Sequence, residues 1–200
     1  DLMALEQSSN VYMFKIAMTM GGLSYYPYIG IASLLRDDTL QRLRNGYAQV
    51  GLGVPTGVDL PGETAGVIGV PDSPGKVLDI TIGQFDTYTP LQLVQYVSTI
   101  ANGGYRVQPR LLKEIRKPSQ DGETLGSLVE EIKPKILNRL DNTQDEINRV
   151  REGFRRVYYG ARGTARSDFA NTAYTAAGKT GTAEVVYFGP QEDRYFTNTI

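Results

Sequence analysis

Two hundred residues suffice for one ordinary domain but not for two large ones, and 40% hydrophobic content with 10% aromatics rules out wholesale disorder. Lys and Arg number 21 against 22 Asp and Glu, with no His, and a net charge of -1 speaks against a nucleic-acid binder, which needs a clear basic excess. The chain also has no Cys, so a thiol nucleophile, a disulfide framework, a Cys/His zinc site and an imidazole base are all excluded.

In chain order, Asp1 to Gln7 reads as the last turns of a helix with no cap ahead of it, and residues 195–200 read as a strand without a closing turn. Both ends are therefore expected to be cuts in a longer polypeptide. From Asn10 to Met20 the sequence is apolar almost all round and is closed by Gly21-Gly22, which predicts a buried helix. Residues 24–38 read as loop, followed by a short helix around Thr39 to Tyr47. Seven Gly and four Pro between Gly51 and Gly75 predict a long irregular connection. Thr89, Pro90 and Gln92 make a capping box with proline in the first turn, and Leu91, Val94, Val97 and Ala101 follow as the predicted core face. Residues 105–132 suggest two short strands joined by an Asp121-Gly122 turn. Thr143 and Glu146 form a second capping box, ahead of a helix burying Ile147, Val150, Phe154 and Val157. The period then changes to β from Thr182 to Phe188, with a turn at Gly189-Pro190 and a final strand.

Gly178-Lys179-Thr180-Gly181-Thr182 has two rival readings. Ala173 to Thr180 is one substitution from a phosphate-loop pattern, which requires a helix to follow, yet Val185-Val186-Tyr187-Phe188 prefers a strand. Alternatively, the lysine opens a strand bordering an active site, Gly181 leaves room for a substrate backbone, and Thr182 offers a hydroxyl and an N–H. A glycine-punctuated turn with an exposed lysine is the bland alternative. Ser8-Ser9-Asn10 stands at a helix–helix junction, where Ser and Asn are also ordinary caps.

Ser8-x-Asn10 followed far downstream by Lys179-Thr180-Gly181 is two of the three motifs of serine acyl-transfer enzymes that react with β-lactams. With Gly57-Val58-Asp59-Leu60-Pro61-Gly62-Glu63, Ile82-Gly83-Gln84 and Thr89-Pro90-Leu91-Gln92 in order, nearly the whole chain resembles the transpeptidase domain of a class B penicillin-binding protein, of the penicillin-binding protein 2 type. It departs at Phe85, where many relatives have Gly. The third motif, Ser-x-x-Lys, carries the family's nucleophile upstream of Ser-x-Asn. Here Ser73-Pro74-Gly75-Lys76 is the one match, and it is read as a loop turn because Gly75 disfavours helix and the segment lies downstream of Ser8.

The resemblance implies an α/β fold of the α+β type, shared with serine β-lactamases. Residues 1–200 are then a partial domain, with a helical lobe holding helices 10–20 and 89–102 and part of an antiparallel sheet. It implies a D,D-transpeptidase that cross-links peptidoglycan stem peptides through an acyl-enzyme. Ser8 and Lys179 fall in the catalytic proton relay, Asn10 on the substrate's amide side chain, and Thr180 and Thr182 on its terminal carboxylate. The Thr182 N–H supplies half of the oxyanion hole, and Gly181 permits close strand–substrate pairing. No metal or other cofactor is required. Implied partners are stem peptides, β-lactam antibiotics, the missing segments of the same protein and a membrane anchor outside this sequence. The implied location is the outer face of the bacterial cell membrane. A β-lactam sensor or β-lactamase shares the motifs. The two-stranded ribbon after Lys179 is expected to pair its edge with another copy or with the missing pieces.

Overall fold

The computed structural model describes residues 1–23, 37–119, 122–169, 172–188 and 194–199. The expected loop 24–38 falls almost wholly outside them, as do Asp121, the Gly189-Pro190 turn and Ile200. The described chain divides into two compact units, taken one at a time.

The first unit comprises residues 1–43, 69–86 and 143–200. In helix α1 (Leu2–Glu6) the Asp1 carboxylate accepts from the Leu2 N–H at 2.6 Å and also pairs with Arg149. Helix α2 (Asn10–Met20) is not buried all round. Ala17 and Met18 are buried while Val11 and Ile16 are exposed, because the core cluster of Met18, Leu43 and Val77 covers one face only. Leu43 comes from helix α3 (Asp37–Gln49) and Val77 from helix α4 (Pro74–Thr81).

Helix α4 is a correction. Ser73-Pro74-Gly75-Lys76 is the start of a helix and not a loop turn, since Pro74 takes the first-turn position it favours and Val77 and Ile80 bury fully behind it. That burial outweighs the roughly 1 kcal/mol helix penalty of Gly75. Lys76 pairs with Asp72 at 2.7 Å and lies 5.5 Å from the Phe85 ring centroid. Phe85 itself has φ +75°, a left-handed conformation that glycine takes without steric cost, and its ring fills the space where a Gly69 side chain would be.

Helix α6 (Gln144–Tyr159) opens with the expected capping box of Thr143 and Glu146 and buries Ile147, Phe154 and Val157, with Val150 half-buried. It packs on α1, whose Ala4 and Glu6 are buried; Gly153 is needed there, because a side chain would run into Leu5. A short helix α7 (Arg166–Phe169) follows, with Phe169 edge-on to Tyr158 at 4.8 Å between centroids.

The second unit comprises residues 44–68 and 87–142. Its central helix is α5 (Pro90–Ala101), capped as expected by Thr89 and Gln92. Its buried face, however, is not the predicted one. Val94 is 61% and Val97 42% exposed, whereas Gln92 is 0%, Gln95 3% and Thr99 1% exposed. The reason is hydrogen-bond accounting. The irregular 51–66 segment and the neighbouring strand bring bare carbonyls against the helix, and only amide side chains can satisfy them. Gln92 Nε2 donates to Val54 O at 2.8 Å and Ala65 O at 3.1 Å; Gln95 Nε2 donates to Thr56 O at 3.1 Å and Val107 O at 2.9 Å.

That long connection is anchored by its own carboxylates. Glu63 accepts from the Thr56 N–H at 2.6 Å and the Gly57 N–H at 3.0 Å, and Asp59 accepts from the N–H groups of Leu111 and Leu112 at 2.8 and 2.9 Å. Burial alone would raise the Glu63 pKa, but the Thr56 and Gly57 hydrogen bonds outweigh it and hold it below the usual carboxylate value.

Two strands were expected in residues 105–132; the described residues there hold three, and a fourth follows at 136–139. Strand β1 (Tyr105–Val107) pairs antiparallel with β4 (Ile136–Arg139), and β2 (Glu114–Arg116) with β3 (Leu128–Glu131), one ribbon nested in sequence within the other. In the first unit, β5 (Ala183–Phe188) and β6 (Arg194–Thr199) form the expected antiparallel ladder, in register from Ala183–Thr199 to Phe188–Arg194. Helices α2 and α5, expected in one lobe, belong to different units.

Candidate active site

The site lies within the first unit, where the α1–α2 junction meets the segment leading into β5. Helix α1 ends with Gln7, and Ser8 follows with φ +54°. The Ser9 N–H donates to Ala4 O at 2.9 Å and the Ser8 N–H to Leu5 O at 3.3 Å, the bond pair of a Schellman ending with serine where glycine is usual. Ser9, not Ser8, then caps α2, its Oγ accepting from the Tyr12 N–H at 3.4 Å. This division of labour settles the earlier ambiguity: the capping role belongs to Ser9, and the Ser8 hydroxyl points elsewhere.

It meets Lys179, whose Nζ donates to Ser8 Oγ at 2.6 Å and to Thr180 O at 2.9 Å. The two residues are 171 positions apart in sequence. Partial loss of hydration at the ammonium pulls the Lys179 pKa below the ordinary lysine value, although the residue as a whole stays exposed. A lysine so shifted gives up its proton more readily than a fully hydrated one.

Helix α6 holds the approach to Lys179. The Tyr159 hydroxyl accepts from the Ala176 N–H at 2.9 Å and donates to Tyr174 O at 3.5 Å, while the Gly178 N–H donates to Phe154 O at 3.3 Å. Thr180 is half-buried, its hydroxyl 2.6 Å from that of Thr164. Asn10, the first residue of α2, is exposed, as are Gly181 and Thr182; the face of Gly181 where a side chain would stand is open space.

The geometry thus brings Ser8, Lys179 and Thr180 together and leaves Asn10, Gly181 and Thr182 exposed beside them along the chain. It removes the phosphate-loop reading, because the segment after Lys179-Thr180 enters strand β5 and not a helix. It also brings in Glu6, Tyr159 and Thr164, which no motif flagged. Glu6 is buried, and its carboxylate accepts from the Arg162 N–H at 2.9 Å while its carbonyl accepts from the Thr164 N–H at 3.3 Å. The glycines at 160 and 163 were the available hint: a side chain at either would strike Glu6 or α6 carbonyls.

The chain is similar to known proteins over nearly its whole length. Residues 2–199 match the family described as the penicillin binding protein transpeptidase domain. Penicillin-binding protein H of Bacillus subtilis (strain 168) is 47% identical over 190 residues, 94% of this chain and 26% of that protein. The peptidoglycan D,D-transpeptidase MrdA of Haemophilus influenzae is 29% identical over 195 residues, 91% of this chain and 26% of that protein. The solved structure of penicillin-binding protein 2B from Streptococcus pneumoniae (strain R6) superposes with a TM-score of 0.84 at 36% identity, over 92% of this chain and 30% of that one. The chain therefore spans about a quarter of the length of the curated relatives it matches. With the paired Ser8 and Lys179 and a match running almost end to end, the chain belongs to the penicillin-binding protein transpeptidase domain family.

Proposed function

We propose that these 200 residues are the proton-relay and substrate-carboxylate part of a serine D,D-transpeptidase. The parent protein cross-links peptidoglycan stem peptides and is acylated by β-lactams. The carrying observation is the 2.6 Å contact from Lys179 Nζ to Ser8 Oγ. In this reading a serine outside the chain attacks the D-Ala–D-Ala carbonyl carbon; its proton passes through the lysine and serine relay to the departing D-Ala amine as the C–N bond breaks. An amine of a second strand then attacks the ester, and the serine recovers its proton. Asn10 holds the donor peptide's amide side chain, Thr180 and Thr182 meet its carboxylate, and the Thr182 N–H polarises the carbonyl. Ser73 is not read as the nucleophile, because Lys76 is engaged by Asp72 at 2.7 Å. The substrate is extracytoplasmic, so the parent works on the outer face of the membrane, held by an anchor outside these residues.

The test is acylation by a labelled penicillin in the full-length protein. Lys179→Ala should slow it by about two to three orders of magnitude, the scale of losing a preorganised charged group, with the melting temperature within a degree or two of the parent. Acylation at the parent rate overturns the reading. The isolated chain should take no label, and a band abolished by Ser73→Ala would restore Ser73 as nucleophile.

A further inference from the structure

Glu6, Thr164, Thr180, Lys179 and Ser8 form a closed circuit. The Glu6 carbonyl receives the Thr164 N–H at 3.3 Å, the Thr164 and Thr180 hydroxyls touch at 2.6 Å, and Lys179 Nζ donates to Thr180 O at 2.9 Å and Ser8 Oγ at 2.6 Å. Ser8 lies two residues beyond Glu6, which completes the ring. The residues on either side of Thr164 are held as well. The Glu6 carboxylate binds the Arg162 N–H, and the Ala165 N–H donates to Val157 O at 3.0 Å. Gly163 sits so close to the Val157 and Arg156 carbonyls that any side chain would collide with them. The Thr164 hydroxyl is therefore a fixed group on a pinned loop, while the Thr180 hydroxyl stands on an irregular segment between Gly178 and β5.

We infer that Thr164 is a positioning residue for the Thr180 hydroxyl in the substrate-carboxylate site. Each hydroxyl has one proton to give. When Thr164 donates to Thr180 Oγ1, the Thr180 proton is turned away from Thr164 and left for an anionic acceptor. The chain of two hydroxyls also polarises that proton, strengthening its bond to a carboxylate. Lys179 holds the Thr180 carbonyl, so backbone and side chain of Thr180 are each fixed by a different partner. The inference rests on the carboxylate role proposed above for Thr180. It assigns Thr164 to the initial binding of carboxylate-bearing ligands and not to the bond-making step.

In the full-length protein, the binding constant K and the acylation rate constant k2 are measured with a fluorescent penicillin for Thr164→Val, Thr164→Ala, Thr164→Ser, Thr180→Val, the Thr164→Val/Thr180→Val double variant and Lys179→Ala. Thr164 is exposed, so none of its changes disturbs packing, and melting temperatures check this. Loss of the Thr164 hydroxyl should raise K about tenfold, the value of one net hydrogen bond to a charged acceptor's donor, with k2 within about twofold. Thr164→Ser should restore the parent K. In the Thr180→Val background, Thr164→Val should add less than about twofold. Parent-like K in Thr164→Val and Thr164→Ala, a loss confined to k2, or full additivity with Thr180→Val would each overturn the assignment while leaving Lys179 untouched. Parent-like acylation in Lys179→Ala would instead remove the underlying reading, and the assignment with it.

Discussion

At the scale of single residues, two side chains stand where glycine is the ordinary choice, and for different reasons. Ser8, with φ +54°, ends α1 in a left-handed conformation, and its hydroxyl is what Lys179 contacts. The strain, of order 1 kcal/mol, coincides with the hydroxyl that accepts from Lys179. Ser8→Gly should therefore raise the unfolding free energy of the full-length protein by up to about 1 kcal/mol while penicillin acylation falls at least tenfold. Denaturant melts and a labelling time course check the two arms. Phe85, with φ +75°, has no such partner; its ring covers Gly69 and faces Lys76. Phe85→Ala keeps the backbone strain and loses the ring, whereas Phe85→Gly loses the ring and the strain together. The glycine variant should be the more stable of the two by about 1 kcal/mol, measured by thermal unfolding. That Ser8 and Lys179 come together was legible because they belong to two motifs that recur in one order along such chains. Thr164 and Glu6 were not, since a threonine in a glycine-flanked turn and a glutamate in a helix are unremarkable until the loop they hold is seen.

At the scale of elements, caps read well and faces read poorly. Both capping boxes, Thr89–Gln92 and Thr143–Glu146, form as their sequences predict, because the donors and acceptors involved are local. The buried face of α6 follows hydrophobic period. That of α5 does not, because the carbonyls it must satisfy belong to Val54, Thr56, Ala65 and Val107, distant in sequence and invisible to any window around residue 95. Gln95 also accepts from Arg106 Nε at 3.1 Å through its amide oxygen. Gln95→Leu keeps the volume and abandons all three partners, so it should cost about 3 kcal/mol or more, a larger loss than Val94→Ala on the exposed face of the same helix. Urea midpoints of the two variants decide the comparison. Helix α4 was missed for a related reason: Pro74 and Gly75 look like a loop until Val77 and Ile80 are seen to bury.

At the scale of the whole chain, family and fold class were legible from the order of short motifs, while strand number and the division into two units depend on pairings no local pattern encodes. One long-range pairing has a consequence for synthesis. Residues 2–6 of helix α1 pack on α6, a helix that begins only at Gln144. Ser8 waits longer still, for Lys179. A ribosome adding about 5–20 residues per second needs about 10–35 s to travel from one to the other. Over that interval residues 1–9 lack the partners that α6 and Lys179 supply in the folded chain. Nascent chains stalled before residue 143 should be cleaved by added protease within residues 1–9, and those extended past residue 180 should resist. Equal resistance at both lengths would mean that α1 finds another partner first. Otherwise residue 179 completes what residue 8 began, and the contact between Ser8 and Lys179 has no counterpart in any shorter nascent chain.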